Sequence, residues 1–275
     1  MQKTILITGS TDGIGFETAK MLRSLGHHIL LHGRNAAKLA AVEKQLAALP
    51  GEGKVEGFIA DLSQLSQAYG LADKITQQTA SLDVLINNAG IYNLPASVSN
   101  DEIDPRFTVN TLAPFVLTQR LLSLLGASGR VINLSSAAQA PVDLEMLAGP
   151  VNGVDDFSAY AQSKLALTMW SRHLALALGD TGPAIIAVNP GSMLGSKMVK
   201  NAFGVAGGDL SKGAKILTRA ALDDEFASAT GLYFDNDAGD FGAPHMDALD
   251  PLKNDAVVQA IDARLDQLNL AAKPS

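Results

Sequence analysis

Thr4-Ile5-Leu6-Ile7-Thr8-Gly9-Ser10-Thr11-Asp12-Gly13-Ile14-Gly15 runs from a short apolar segment straight into three glycines, and a helical pattern over residues 14–25 follows. Apolar character without alternation marks a strand buried on both faces, as in a parallel sheet. The glycines between such a strand and its helix have separate uses. Gly9 permits a tight turn, Gly13 lets a bound group approach the backbone, and Gly15 lets the helix sit close to the sheet. Backbone N–H groups and the positive end of the helix dipole then face one point, which suits a pyrophosphate. Out of context a glycine triplet is only a permissive loop. Its place between a strand and a helix is what points to dinucleotide binding.

The same unit recurs along the chain. Apolar, β-branched segments at residues 4–8, 28–32, 55–59, 84–86, 130–134 and 184–188 alternate with helical spacing at 14–25, 36–49, 62–79, 105–125 and 159–178. Alternation of this kind predicts right-handed crossovers and an α/β, doubly wound, mostly parallel sheet with helices on both faces, in three αβα layers. With no linker or low-complexity tract, residues 1–275 read as one domain. Residues 231–250 read as a loop and 255–268 as a closing helix, so that 235–275 is a C-terminal appendage.

Composition narrows the function classes. Across 275 residues, 47% are hydrophobic and 18% charged, a globular balance. Lys and Arg number 21 against 28 Asp and Glu, a net charge of -7 that argues against nucleic-acid or membrane-surface partners. The absence of cysteine removes thiolate nucleophiles and thiolate metal sites and fits a reducing cytoplasm. The five histidines do not cluster with acids at ligand spacing, so no metal site is expected. No apolar run is long enough for a signal or membrane span.

Where the second strand ends, His32-Gly33-Arg34-Asn35 carries no acid to accept a ribose 2′-hydroxyl. The Arg34 fork suits phosphate oxygens instead, so NADP(H) is favoured and NAD(H) stays open; the alternative is a solvated loop arginine. Asp12, inside the phosphate turn, is an unhelpful charge. Further on, Tyr160-Ala161-Gln162-Ser163-Lys164 opens a helix and puts phenol and ammonium on one face. A nearby cation favours phenolate, so Tyr160 suits proton exchange with a substrate oxygen during hydride transfer. Read alone, the pair is equally a lysine stem packed on a tyrosine. Asn133-Leu134-Ser135-Ser136, Asn87-Asn88-Ala89-Gly90 and Asn189-Pro190-Gly191 stand at strand ends on the crevice side.

In this order and in these turns, the motifs resemble the short-chain dehydrogenase/reductase family over nearly the whole chain, with its Rossmann-type sheet. The resemblance implies a cofactor turn at Gly9, Ser10, Thr11, Asp12, Gly13, Ile14 and Gly15, with Arg34 and Asn35 beside the ribose and Asp61 and Leu62 at the adenine ring. Asn88, Ala89 and Gly90 would support the sheet beside the cofactor, and Pro190, Gly191, Met193 and Ser196 would lie on the nicotinamide side. It implies Asn110, Ser136, Tyr160 and Lys164 as the catalytic set: Asn110 holding a relay water, Ser136 polarising a carbonyl, and Tyr160 and Lys164 also touching the cofactor. Ser136 rather than Ser135 matches because it stands three residues after Asn133. Two departures accompany the match. Ser136 and Tyr160 are 24 positions apart, making 138–157 an insertion similar to the retinol-dehydrogenase-like branch, and Ser196 replaces the usual threonine. A homodimer or homotetramer built on 105–125 and 159–178 is also implied.

Two functions follow as expectations: an oxidoreductase interconverting an apolar carbonyl compound and an alcohol, or a non-catalytic dinucleotide-binding sensor or scaffold. The intact proton-handling residues favour the first.

Overall fold

The computed structural model describes residues 1–93, 103–150 and 154–268. Residues 151–153 of the expected insertion and 269–275 of the expected appendage lie outside that set. The strands are β1 (Thr4–Ile7), β2 (His28–Gly33), β3 (Val55–Ile59), β4 (Val84–Asn87), β5 (Arg130–Leu134), β6 (Ala184–Asn189), β7 (Tyr233–Asp235) and β8 (Asp240–Gly242). The helices are α1 (Gly13–Ser24), α2 (Ala36–Ala47), α3 (Leu65–Gln78), α4 (Pro105–Phe107), α5 (Ala113–Leu125), α6 (Glu145–Ala148), α7 (Asp156–Leu178), α8 (Lys197–Phe203), α9 (Leu210–Leu222) and α10 (Pro251–Gln267).

One sheet orders the strands β3-β2-β1-β4-β5-β6-β7-β8, parallel throughout except for the β7–β8 pair. Its register sets Ile5 beside both Ile29 and Val84. Successive side chains leave a strand on opposite faces, so each strand supplies two cores. Leu6, Leu30, Leu85, Val131 and Ile185 pack under α3, α5, α7 and α10. Ile5, Ile29, Val84, Ile132 and Ile186 pack under α1, α2 and α9. Chain order reverses between β1 and β4, and a crevice opens there at the carboxyl ends of the strands.

Several elements differ from the sequence reading. The expected loop 231–250 contains the β7–β8 hairpin, whose three-residue strands are too short to show a period. The closing helix starts earlier, at Pro251, because Asp250 caps it by accepting from Leu252 and Lys253 N–H and proline suits a first turn. The insertion is not all loop: α6 buries Met146 and Leu147. The expected helix 105–125 is broken into α4 and α5 by a π turn over Thr108–Leu112. Helix α7 is covered on nearly every side from Ala159 to Ala175, because α10 lays Val257, Ile261 and Leu265 into the same core. Among the described residues, no helix is long and apolar enough to cross a membrane.

Candidate active site

The crevice begins at the β1–α1 turn. Gly9 and Gly13 both have positive φ, 64° and 56°, a region that costs glycine little. Gly15 serves a close approach: a Cβ there would lie 2.4 Å from Asn88 Nδ2 and 2.5 Å from the Gly9 carbonyl oxygen. Asn88 Nδ2 donates to the carbonyls of Thr8 (2.8 Å) and Gly9 (3.2 Å), stitching the β4 turn to the phosphate turn. His32 secures the other side. Its Nδ1 accepts from Gly9 N–H (3.0 Å), which puts the ring proton on Nε2 facing the Ala60 carbonyl (3.1 Å). Burial lowers this imidazole to about 4, so it is neutral at pH 7.

Most of the sequence-predicted cofactor residues line one cleft of about 370 Å³: Gly9, Thr11, Asp12, Gly13, Ile14, Arg34, Asp61, Leu62, Asn88, Ala89, Gly90, Tyr160, Lys164, Pro190 and Ser196. Others stand off it. The Ser10 hydroxyl is turned into β2, accepting from His32 N–H (2.9 Å). Gly15 lies beneath Asn88, and Asn35 caps α2 by accepting from Lys38 N–H (2.9 Å). Met193 is 45% exposed, with φ 53°. The Ser196 oxygen caps α8 by accepting from Val199 N–H.

The charge of Asp12, unhelpful in the phosphate turn by the sequence reading, is paired with two lysines. Burial alone would raise its pKa, but Lys197 (2.7 Å), Lys38 (2.6 Å) and Gly13 N–H hold it at about 2. Both lysines escaped the sequence reading because they reach the turn from α8 and α2. The Pro190-Gly191 turn is likewise held by distant residues. Asn189 Nδ2 donates to Asp235 and Asp237, Asn236 Nδ2 donates to the Pro190 carbonyl, and Asp237 accepts from the backbone and hydroxyl of Ser192.

The reacting end is built where β5 meets α7. Asp155 caps α7 by accepting from Ser158 N–H, and one turn on Tyr160 and Lys164 face β5. Lys164 Nζ donates to the Leu134 carbonyl (2.7 Å) and is 4% exposed; burial lowers it to about 8. The side chain of Ser136, two residues beyond Leu134, lies beside the part-buried Tyr160, and its oxygen accepts from Ala138 N–H (3.1 Å). Its neighbour Ser135 also lines the cleft, but its hydroxyl is buried against Thr168 Oγ1 (2.7 Å). The Ser136 carbonyl accepts from Tyr233 Oη (3.1 Å) and Gln139 Nε2 (3.0 Å), so the serine turn is anchored from two sides. Gly90 allows Lys164 and Asn110 to converge: a Cβ there would be 3.4 Å from Nζ and 3.3 Å from Asn110 Oδ1.

Two sequence expectations change in detail. The Tyr160 phenol stands above its ordinary 10 rather than below: burial dominates, the Ser136 side chain opposes it, and Tyr92 adds to the rise. The amide of Asn110 is committed to protein, accepting from Ile91 N–H (2.8 Å) and donating to the Ile91 carbonyl (2.9 Å) and Ser163 Oγ (3.0 Å). A relay water at this position would therefore need the backbone of the π turn, a feature frequent at functional sites.

Comparison with known proteins agrees with this geometry. A family profile described as short chain dehydrogenase matches residues 3–204. Human polyprenol dehydrogenase is 34% identical over 218 residues, 73% of this chain and 63% of that protein. Human retinol dehydrogenase 13 is 32% identical over 251 residues, 85% of this chain and 76% of that protein. Among solved structures, a Mycobacterium paratuberculosis protein superposes with TM-score 0.78 at 27% identity, covering 96% of this chain and 93% of its own. Pseudomonas aeruginosa RhlG, in an active-site complex with NADP, superposes with TM-score 0.69 at 27% identity, covering 86% and 95%.

Proposed function

The chain belongs to the short chain dehydrogenase family, and from that premise we propose that it is an NADP(H)-dependent oxidoreductase interconverting an apolar carbonyl compound and its alcohol. The observation that carries this reading is the convergence of Tyr160 and Lys164, with Ser136 beside the phenol, at one end of a cleft lined by Tyr160 and Lys164 and at its other end by the β1–α1 turn. The turn fits a dinucleotide: two positive-φ glycines and the α1 N-terminus present backbone to the cleft, and the exposed Arg34 lines its rim. The NADP complex of RhlG supports the choice of cofactor, as does Arg34 in place of an acid.

When bound, the nicotinamide would supply or accept the hydride. The chain's own residues handle the proton. Tyr160, neutral at pH 7, gives its phenolic hydrogen to the carbonyl oxygen during reduction and recovers it from the alcohol in the reverse direction. Ser136 donates a second hydrogen bond to the same oxygen. Lys164 brings a buried ammonium beside the phenol, 5.7 Å from the ring centre, which lowers the cost of a transient phenolate. Ile91, Val109 and Met198 give the cleft an apolar side. The similarity to proteins named for retinol and polyprenol supports an oily alcohol or aldehyde as substrate. One domain and a reducing, cytoplasmic setting belong to the same proposal, the latter resting on the cysteine-free composition.

The test is to follow loss of NADPH absorbance over a panel of aldehydes and ketones, with Tyr160→Phe beside the wild type. Turnover should vanish in the variant while NADPH affinity holds, because only the ionisable oxygen is lost. Retained turnover would remove Tyr160 as proton donor, and NADPH binding without turnover on any carbonyl would favour a sensor.

A further inference from the structure

Beside the proton-handling pair, three aromatic rings stand in a row. The Tyr92 ring centre is 5.1 Å from that of Tyr160 and 5.2 Å from that of Phe203, with interplanar angles of 49° and 56°. The rings come from the segment after β4, from α7 and from the end of α8, yet they meet at separations where aromatic pairs attract. Phe203 is 45% exposed, whereas Tyr160 lines the cleft, so the row leads outward from the reacting oxygen. Tyr92 is also held in place. The residue before it, Ile91, is gripped at both its N–H and its carbonyl by the buried amide of Asn110.

We infer that Tyr92 is a specificity-determining residue: standing against the Tyr160 ring, with the tilted Phe203 ring beyond it, it forms an aromatic wall beside the reacting end that favours carbonyl compounds and alcohols whose planar, unsaturated skeleton starts next to the reacting carbon. This rests on the oxidoreductase reading above. A substrate oxygen within hydrogen-bond reach of Tyr160 and Ser136 sets its first carbons alongside the neighbouring Tyr92 ring. A planar π-system can lie against such a face with area and quadrupole both matched, and a puckered saturated ring cannot. Ile91, Val109 and Met198, which line the cleft near Tyr160, are aliphatic and make no such distinction.

Benzaldehyde and cyclohexanecarbaldehyde have the same carbon skeleton count, one flat and one puckered, and their kcat/KM ratio with NADPH reads the wall. Comparing the ratio between variants cancels their intrinsic reactivities. Tyr92→Leu should lower the benzaldehyde preference about threefold to tenfold, mainly through KM, and Tyr92→Phe should keep it within about twofold. Phe203→Leu should act in the same direction. An unchanged ratio in Tyr92→Leu overturns the inference, as does an equal loss on both aldehydes, which would mark a merely structural role. Calorimetric dissociation constants for benzamide and cyclohexanecarboxamide, measured on the NADPH complex, give the same ratio without chemistry. A Tyr92-dependent binding ratio without turnover would count against the proposed reaction alone, and a Tyr92-independent one against the wall.

Discussion

Lowering the pH tests the histidine that ties the phosphate turn to the sheet. His32 is 3% exposed and titrates at about 4, because burial penalises the imidazolium more than the Ala60 carbonyl and Asp61 support it. In the unfolded chain it takes up its proton near 6.5. Between those values the unfolded state holds a proton that the folded state does not. Stability therefore falls as pH drops from 6.5 toward 4 and does not depend on this group above 6.5. The full gap corresponds to about 3 kcal/mol, with about 2 kcal/mol of it lost by pH 5. That is a sizeable part of the roughly 5–15 kcal/mol that holds an ordinary domain together. In the folded chain, protonation at Nδ1 would also remove the acceptor of Gly9 N–H, but only near pH 4. Urea unfolding from pH about 7.5 down to about 5 should show a steeper slope in the wild type than in His32→Gln, which keeps the smaller contribution of groups such as His27, whose imidazole burial also lowers. NADPH affinity of the folded protein, read in parallel, should not follow that slope, because the folded imidazole takes its proton only near pH 4. Identical slopes, or a His32 ring signal in the NMR spectrum titrating near 6.5, would refute the reasoning.

Other outcomes follow from the same geometry. Arg34→Asp should shift the NADPH-to-NADH ratio of kcat/KM toward NADH by at least about tenfold, since a cationic fork is replaced by a charge that repels phosphate; an unchanged ratio removes Arg34 from the site. Gly15→Ala would drive a Cβ into Asn88 and the Gly9 carbonyl, so α1 must back away; thermal unfolding should register a loss of about 1–3 kcal/mol together with weaker NADPH binding. Ile261→Ala empties a fully buried position in the core beneath α10 and should cost about 2–4 kcal/mol in denaturant titration.

What could be read in advance depended on whether the information was local. The strand–glycine–helix unit at residues 4–15 and the Tyr160–Lys164 spacing carry their geometry within one element, and the cleft brings both together. The β7–β8 hairpin was missed because three-residue strands have no period, and α9 because four of its six buried residues are small, Gly213, Ala214, Ala220 and Ala221. Tyr92, Lys38 and Lys197 acquire their places only from partners far away in sequence. The direction of the Tyr160 shift was misjudged for a related reason. A neighbouring cation can be guessed from spacing, but the depth at which the phenol sits depends on everything packed around it.

The seating of α10 bears on how copies of the chain can meet. The family resemblance makes residues 105–125 and 159–178 the expected contact between copies, and the second of these spans most of α7. The chain's own tail already occupies the ground. A second copy approaching there would have to pry Val257, Ile261 and Leu265 out of the core, at about 1.5–3 kcal/mol apiece, before its own contacts could begin to compensate. A contact between copies through the part of α7 that α10 covers would therefore have to displace this helix first.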